Sequence, residues 1–229
     1  MSAPNPLRRL FGSKGETTEK PNVNTAADEA AIAKAQAYLD QVRQKMERLA
    51  EDFAAGRINI TQFQELYAHY QQERKIIEET LGEAPETAAW RATVATGEGE
   101  STIIRRRHAA RILGYAIYLN VSAALLRAVG QYDMDNRLVT TMLDSLRGGT
   151  AEQVERQMRG IEIENGQWVG FVPGQHTTLA VLFSVEPARA QLETLRDLQA
   201  HFERANERLF ARGITDPAQF VFPHAAVFE

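Results

Sequence analysis

The sequence predicts an α+β chain: an N-terminal helical hairpin followed by a five-stranded antiparallel sheet flanked by helices, the sheet part running in the order ββαβββα. Three observations carry this expectation. Between residues 159 and 213 the apolar period changes from two to about 3.6, with turn residues at each change. Upstream, the runs GYAIYLN at 114–120 and ALLRAVG at 124–130 are two further strand patterns. Residues 26–81 instead repeat apolar side chains at helical spacing on either side of a glycine.

In chain order, residues 1–25 scatter Pro4, Pro6, Gly12 and Gly15 among small polar residues, a composition expected to form a disordered tail. Within it, Leu7-Arg8-Arg9-Leu10-Phe11 with Lys14 is a basic, apolar peptide of the kind that touches an anionic membrane or a partner groove. It is too short for stable membrane attachment alone, so a solvated tail is the simpler reading. The helical hairpin is expected over 26–82, with Thr25 or Asp28 as its first cap. Its stripe is Tyr38, Val42, Met46, Leu49 and Phe53, and Gly56 stops the first helix within a turn at 55–59. Thr61 is the expected cap of the second helix, whose apolar face is Phe63, Leu66, Tyr67, Tyr70, Ile77 and Leu81. Residues 83–100, with Pro85, Gly97, Gly99 and several acids, read as a linker. Residues 101–113 stay open: Thr102-Ile103-Ile104 is β-prone, whereas 105–113 suits a short helix equally well.

The α+β domain is expected over 101–213. Its first two strands turn at Asn120-Val121-Ser122-Ala123. Asp133 or Asp135 then caps a helix with a stripe of Leu138, Met142, Leu143 and Leu146, stopped at Gly148-Gly149, and a short helix is expected at 151–158. Asn165-Gly166 separates Ile161 and Ile163 from the alternation of Trp168, Gly170 and Val172 with Val169 and Phe171. Asn-Gly there predicts a hairpin, because a type I′ turn needs positive φ at both central residues. After Pro173-Gly174-Gln175-His176, the apolar run TTLAVLFSV at 177–185 predicts a strand covered by helix. A long helix follows Pro187 to about Arg212, expected to bury Leu192, Leu195, Leu198, Phe202 and Leu209 on the sheet. Phe220, Phe222 and Phe228 crowd the segment 214–229, so it is expected to dock on the domain or on a second copy.

Composition narrows the function. Apolar content of 44% and charged content of 24% are those of an ordinary globular chain. The net charge of -4 argues against general nucleic-acid binding, and no run approaches the roughly 20 apolar residues of a membrane span. Cysteine is absent, which removes disulfides, thiolate metal sites and cysteine nucleophiles together and suits a cytoplasmic location.

Individual residues offer little chemistry. His176 sits among turn hydroxyls, but a hydrolytic triad also needs a nucleophile on a sharp elbow and an orienting carboxylate, and neither is marked. Asp133, Asp135 and Asn136 open like a calcium loop, yet Arg137 occupies the fifth position and no glycine follows, so capping explains the acids better. Glu162 and Glu164 share a strand face that reads as solvated. Gly97-Glu98-Gly99 lacks the lysine and the spacing of a phosphate loop. Arg105, Arg106 and Arg107, with His108 and Arg111, form the densest positive cluster, suited to phosphate groups, to an acidic partner or to salt bridges with the acidic helices. No cofactor or metal is expected.

Two resemblances add to this reading. The run LAEDFAAGRINITQFQELYAHY, with a leucine/phenylalanine helix and then glycine, isoleucine, threonine and phenylalanine in order, resembles the short bacterial SHOCT helical module over about thirty residues. The element order of residues 114–212 is similar to that of the roadblock family, within the wider longin and profilin-like group. That resemblance rests on element order and covers roughly the C-terminal half. It implies a non-enzymatic scaffold or regulator, commonly dimeric, in some cases working with a small Ras-like GTPase. It also implies pairing through the central helix and the strand after it, here about 136–146 and 159–164. Leu138, Val139, Met142, Leu143 and Leu146 are then the expected partner-binding residues, together with Arg105, Arg106 and Arg107. A PAS- or GAF-like small-molecule sensor is the alternative, with Trp168, Phe171, Tyr115 and Tyr118 as pocket lining. A hydrolase has the least support.

Overall fold

A computed structural model describes residues 23–83, 89–132, 134–148 and 160–225. The basic peptide at 7–11, the short helix at 151–158, Asp133 and Phe228 lie outside the described residues.

The hairpin consists of α1 (Val23–Ala54) and α2 (Ile60–Glu83). Helix α1 already contains the positions expected to cap it, Thr25 and Asp28. Tyr38, Val42 and Leu49 of α1 bury against Leu66, Tyr70 and Ile77 of α2, as the two stripes require. Gly56 takes φ +70°, a left-handed conformation that glycine adopts without steric cost. The cap of α2 is Asn59, not Thr61. Its Oδ1 accepts the Gln62 amide at 2.7 Å, and Gln62 Oε1 accepts the Asn59 amide at 3.1 Å. Asn-x-x-Gln has the spacing of a capping box, which puts Thr61 inside the first turn.

The expected linker at 83–100 is a correction. Helix α3 (Ala89–Arg107) runs through its second half and includes the β-prone Thr102-Ile103-Ile104. Gly97 reads as a breaker in sequence, but it is the point where α3 crosses α2. A Cβ at Gly97 would overlap the carboxylate of Glu73, whereas a Cβ at Gly99 would meet nothing. Glu73 is buried and accepts the Tyr38 hydroxyl at 3.2 Å. Burial, and then Glu73, raise the pKa of that hydroxyl, so it remains a donor. His69 Nε2 lies 3.2 Å from the Gly97 carbonyl. A small polar layer therefore ties α1, α2 and α3 together.

The sheet contains β1 (Ile112–Leu119), β2 (Leu125–Gly130), β3 (Ile161–Glu162), β4 (Trp168–Pro173) and β5 (Thr177–Phe183) in the spatial order β2-β1-β5-β4-β3. Every neighbouring pair is antiparallel. Central β5 is covered on both faces, and all seven of its residues are buried, which explains its continuous apolar run. At the β3–β4 tip, Asn165 and Gly166 take φ of 64° and 71°, the positive values expected of them. Because the Ile163 amide donates to the Gln167 carbonyl at 2.8 Å, the loop holds residues 164–166 rather than two residues.

The sheet separates two apolar layers. On one face α4 (Asn136–Gly148) packs Val139 and Leu143 on Ala116, Tyr118, Val169, Phe171 and Ala180. On the other, α5 (Arg189–Ala205) packs Leu192, Leu195 and Phe202 on Tyr115, Ile117, Leu179, Val181 and Phe183. Leu198 and Leu209 are half-buried. The single long helix expected to reach Arg212 is broken at Asn206, after which α6 (Glu207–Ala211) continues. Asn206 Nδ2 donates to the carbonyls of Phe202 (2.9 Å) and Val221 (2.7 Å), and its Oδ1 accepts the Val221 amide at 2.9 Å. One side chain thus ends the helix and fastens the C-terminal segment, where Phe220 is buried and Phe222 half-buried on the domain, as expected.

The two glycines of α3 give opposite expectations. Gly97→Ala should lower stability by roughly 1–3 kcal/mol through overpacking against Glu73. Gly99→Ala should raise it by up to about 1 kcal/mol, because only helix propensity changes there. Urea unfolding of both variants checks the pair; equal and favourable effects would mean that α3 does not cross α2 at Gly97.

Candidate functional site

The expected partner helix proves to be an ordinary amphipathic one over its described side chains. Val139 and Leu143 are buried on the sheet, and Met142 is half-buried against the same cluster, so they belong to this chain's own core. Arg137, Thr140, Thr141, Asp144 and Ser145 are exposed, whereas the side chains of Leu138 and Leu146 lie outside the described residues. Val139, Met142 and Leu143 all face the sheet. Asp135 accepts the Arg137 amide at 2.8 Å and caps this helix.

The arginine cluster divides at the end of α3. Arg105 pairs with Asp52 at 3.5 Å, and Asp52 also holds Arg57 at 2.8 Å, while Arg106 and Arg107 are exposed. The salt-bridge alternative therefore applies to Arg105. Glu162 and Glu164 are exposed, as a solvated face requires. Among the described residues, no group of acidic and histidine side chains is arranged to hold a metal ion.

His176 has a carboxylate nearby, but the carboxylate grips backbone. Glu203 accepts the amides of Gln175 (2.7 Å), His176 (2.8 Å) and Thr177 (2.8 Å), and the Thr177 hydroxyl at 2.8 Å. Gly174 makes room, since a Cβ there would meet the same carboxylate. The imidazole instead stacks on Phe210 at 4.8 Å. This arrangement closes the β4–β5 turn; it does not orient a histidine for proton transfer. The aromatic residues expected to line one sensor pocket lie on both sides of the sheet. Tyr115 and Trp168 face α5, whereas Tyr118 and Phe171 face α4, because neighbouring strand positions alternate.

A further surface lies at the hairpin turn. A cleft of about 650 Å³ lies between that turn and the start of α5, lined by Phe53, Gly56, Ile60, Pro187, Leu192 and Arg196 among others. Its walls are joined by part-buried polar contacts. Asn59 Nδ2 donates to the carbonyls of His108 (2.9 Å) and Glu186 (2.6 Å), and Gln62 Nε2 donates to the Arg105 carbonyl at 2.9 Å. The Ala190 amide donates to the Gly56 carbonyl at 3.0 Å, and a Cβ at Gly56 would collide with Arg189. The Glu186 carboxylate accepts the amides of Thr61 and Ile60 at the start of α2; burial raises its pKa, and those two hydrogen bonds oppose the rise.

Leading away from the cleft, Phe53 stacks on Phe63 at 4.7 Å and Phe63 on Tyr67 at 5.6 Å. Phe53 and Tyr67 are each 38% exposed, and Ile60 is 48% exposed. The sequence pattern places these rings on the core stripe. Near the turn, however, α1 and α2 cover only part of each ring, and spacing alone does not say how far a neighbour's cover extends. The chain matches no known family model, no curated protein and no solved structure.

The junction makes a sharp distinction between two neighbouring side chains. Asn59→Ala removes the α2 cap and takes the donor from two part-buried carbonyls, so stability should fall by roughly 1–3 kcal/mol. Thr61→Ala should change it by less than about 0.5 kcal/mol. Thermal or urea unfolding of the two variants measures this difference.

Proposed function

We propose that this chain is a non-enzymatic regulatory or scaffold module that acts through protein–protein contact, with the aromatic row and the cleft beside it as its contact surface. The observation that carries this reading is the stacked series Phe53, Phe63 and Tyr67, left partly exposed with Ile60 at a junction held rigid by Asn59 and Gln62. Aromatic side chains on a preorganised scaffold supply large contact area at low entropic cost, which is why they dominate binding energy at interfaces. The similarity of element order to the roadblock family favours a small Ras-like GTPase as partner and a cytoplasmic setting. No described helix is long and apolar enough to cross a membrane.

Self-association is part of the same proposal. In the roadblock-like mode a second copy would meet the outer side of α4, where Arg137, Thr140, Thr141 and Asp144 are exposed, and the edge strand β3. A small-molecule sensor is the second reading. It now rests on the cleft of about 650 Å³, a volume suited to a metabolite-sized ligand, rather than on the sheet aromatics.

Affinity purification from the native host, with the wild-type chain and with the double variant Phe53→Ser/Tyr67→Ser, tests the contact surface. Partners held by the wild type should fall at least tenfold with the variant while its melting temperature stays close to wild type. Equal recovery would reject the surface. Light scattering at micromolar concentration tests self-association separately: the expected mass is twice that of the chain, and a monomer throughout the range rejects the dimer.

A further inference from the structure

The last turn of α3 brings its arginines to the junction that frames the cleft. Gln62 Nε2 donates to the Arg105 carbonyl at 2.9 Å and Asn59 Nδ2 to the His108 carbonyl at 2.9 Å, so this turn is tied to the start of α2 at two points. The chain just beyond it is tied to the opposite wall. Gln191 Nε2 of α5 donates to the Ala110 carbonyl at 3.0 Å. The Arg111 amide donates to the Ser184 hydroxyl at 3.0 Å, and the Arg111 carbonyl accepts the Ser184 amide at 2.9 Å. The arginines of this segment therefore stand on a backbone bonded to both walls of the cleft.

Three carboxylates at the junction are already engaged. Asp52 is shared by Arg57 and Arg105, at 2.8 and 3.5 Å. Glu193 pairs with Arg189 at 3.1 Å, and the Glu186 carboxylate accepts the amides of Thr61 and Ile60. Arg106, Arg107 and Arg111, and Arg196 in the lining of the cleft, are exposed. None of these four has a carboxylate within ion-pair distance among the described residues. A chain of net charge -4 thus carries a cluster of uncompensated positive charge beside an apolar cleft lined by Phe53, Ile60, Pro187 and Leu192.

These two features together select a ligand. Guanidinium groups bind carboxylates through paired, charge-assisted hydrogen bonds, and the exposed rings supply contact area. The complement is a segment whose apolar side chains are flanked by carboxylates. Screening favours such a segment over an extended polyanion. The Debye length is about 8 Å at physiological ionic strength, so a short acidic segment meets chiefly the local cluster. A membrane or a nucleic acid instead spreads its charge across a molecule that is acidic as a whole.

We propose that the aromatic row, the cleft and the arginines beside it form one composite site for an acidic protein segment with an apolar anchor. The anchor enters the cleft, and the flanking carboxylates meet Arg106, Arg107, Arg111 and Arg196. This inference rests on the contact surface proposed above and adds the chemistry of the partner's segment to it.

Selection of a random dodecapeptide phage library against the full chain, followed by fluorescence anisotropy of the recovered peptides, tests it. Those peptides should be rich in Asp and Glu around Leu, Ile, Phe or Trp. Their affinity should fall roughly tenfold or more with Arg106→Glu/Arg107→Glu, which sets like charges together, and by less with Arg106→Gln/Arg107→Gln. It should also fall with Phe53→Ser/Tyr67→Ser and with added salt. Both arginine variants should melt near the wild-type temperature, because the side chains are exposed. If the charge-reversed variant does not fold, the glutamine variant decides. Peptides that need Phe53 and Tyr67 but carry no acidic excess, or that bind the charge-reversed variant as tightly as the wild type, would overturn this proposal and leave the contact surface standing. Acidic peptides indifferent to Phe53→Ser/Tyr67→Ser would overturn the contact surface and the composite site with it. Recovery of no peptide also overturns the proposal, and cosedimentation with phosphatidylserine vesicles would then assign the arginines to a lipid surface.

Discussion

The side chain of Asn59 is the contact on which the arrangement of the two halves depends. Its oxygen starts α2, and its nitrogen binds the carbonyl of His108, just after α3, and that of Glu186, just before α5. Gln62 returns a hydrogen bond to Asn59 and reaches the Arg105 carbonyl. Both amides are buried, so their polar atoms must be satisfied by protein rather than by solvent. A side-chain amide has donors and an acceptor on one small group, which lets it serve helix ends of opposite polarity. Glu186 contributes from the other side by accepting amides at the start of α2. The hairpin turn and the start of α5 are consequently held together by directional bonds, and the cleft between them has defined walls.

Within the sheet domain, the same logic recurs at the chain's irregular points. Glu203 collects three amides of the β4–β5 turn, Asn206 stops α5 and holds Val221, and Gln199 donates to the Thr177 hydroxyl at 2.6 Å. Apolar layers on both faces of the sheet supply the non-directional part of the stability. The polar side chains choose where helices end and where the C-terminal segment lies.

For function, the contrast between α4 and the hairpin matters most. The apolar side chains of α4 that the structure describes face its own sheet, and Arg137, Thr140, Thr141 and Asp144 are exposed. The hairpin offers rings that its own chain covers only in part. An interaction module built on the second surface uses a shape set by the Asn59 junction, and the basic pair Arg106 and Arg107 is exposed on α3 beside the ion pair of Arg105 with Asp52. Large exposed aromatic contacts on a rigid frame are the physical basis of that reading.

Periodicity and turn chemistry by themselves determined the α+β class, the hairpin with its turn at Gly56, the order of the five strands along the chain, and positive φ at Asn165-Gly166. Those features depend on residues close in sequence, where side-chain alternation and backbone sterics act directly. Helix α3 escaped that reading because Gly97 is required by a crossing with Glu73, a residue on another helix. The capping role of Asn59 was legible in the Asn-x-x-Gln spacing; its hydrogen bonds to His108 and Glu186 were not. Leu143 and Phe53 both lie on apolar stripes, yet one is buried and the other partly exposed. Only the tertiary structure decided which stripe was fully covered, because burial depends on how much surface a distant element brings to it, and spacing along one helix carries no information about that.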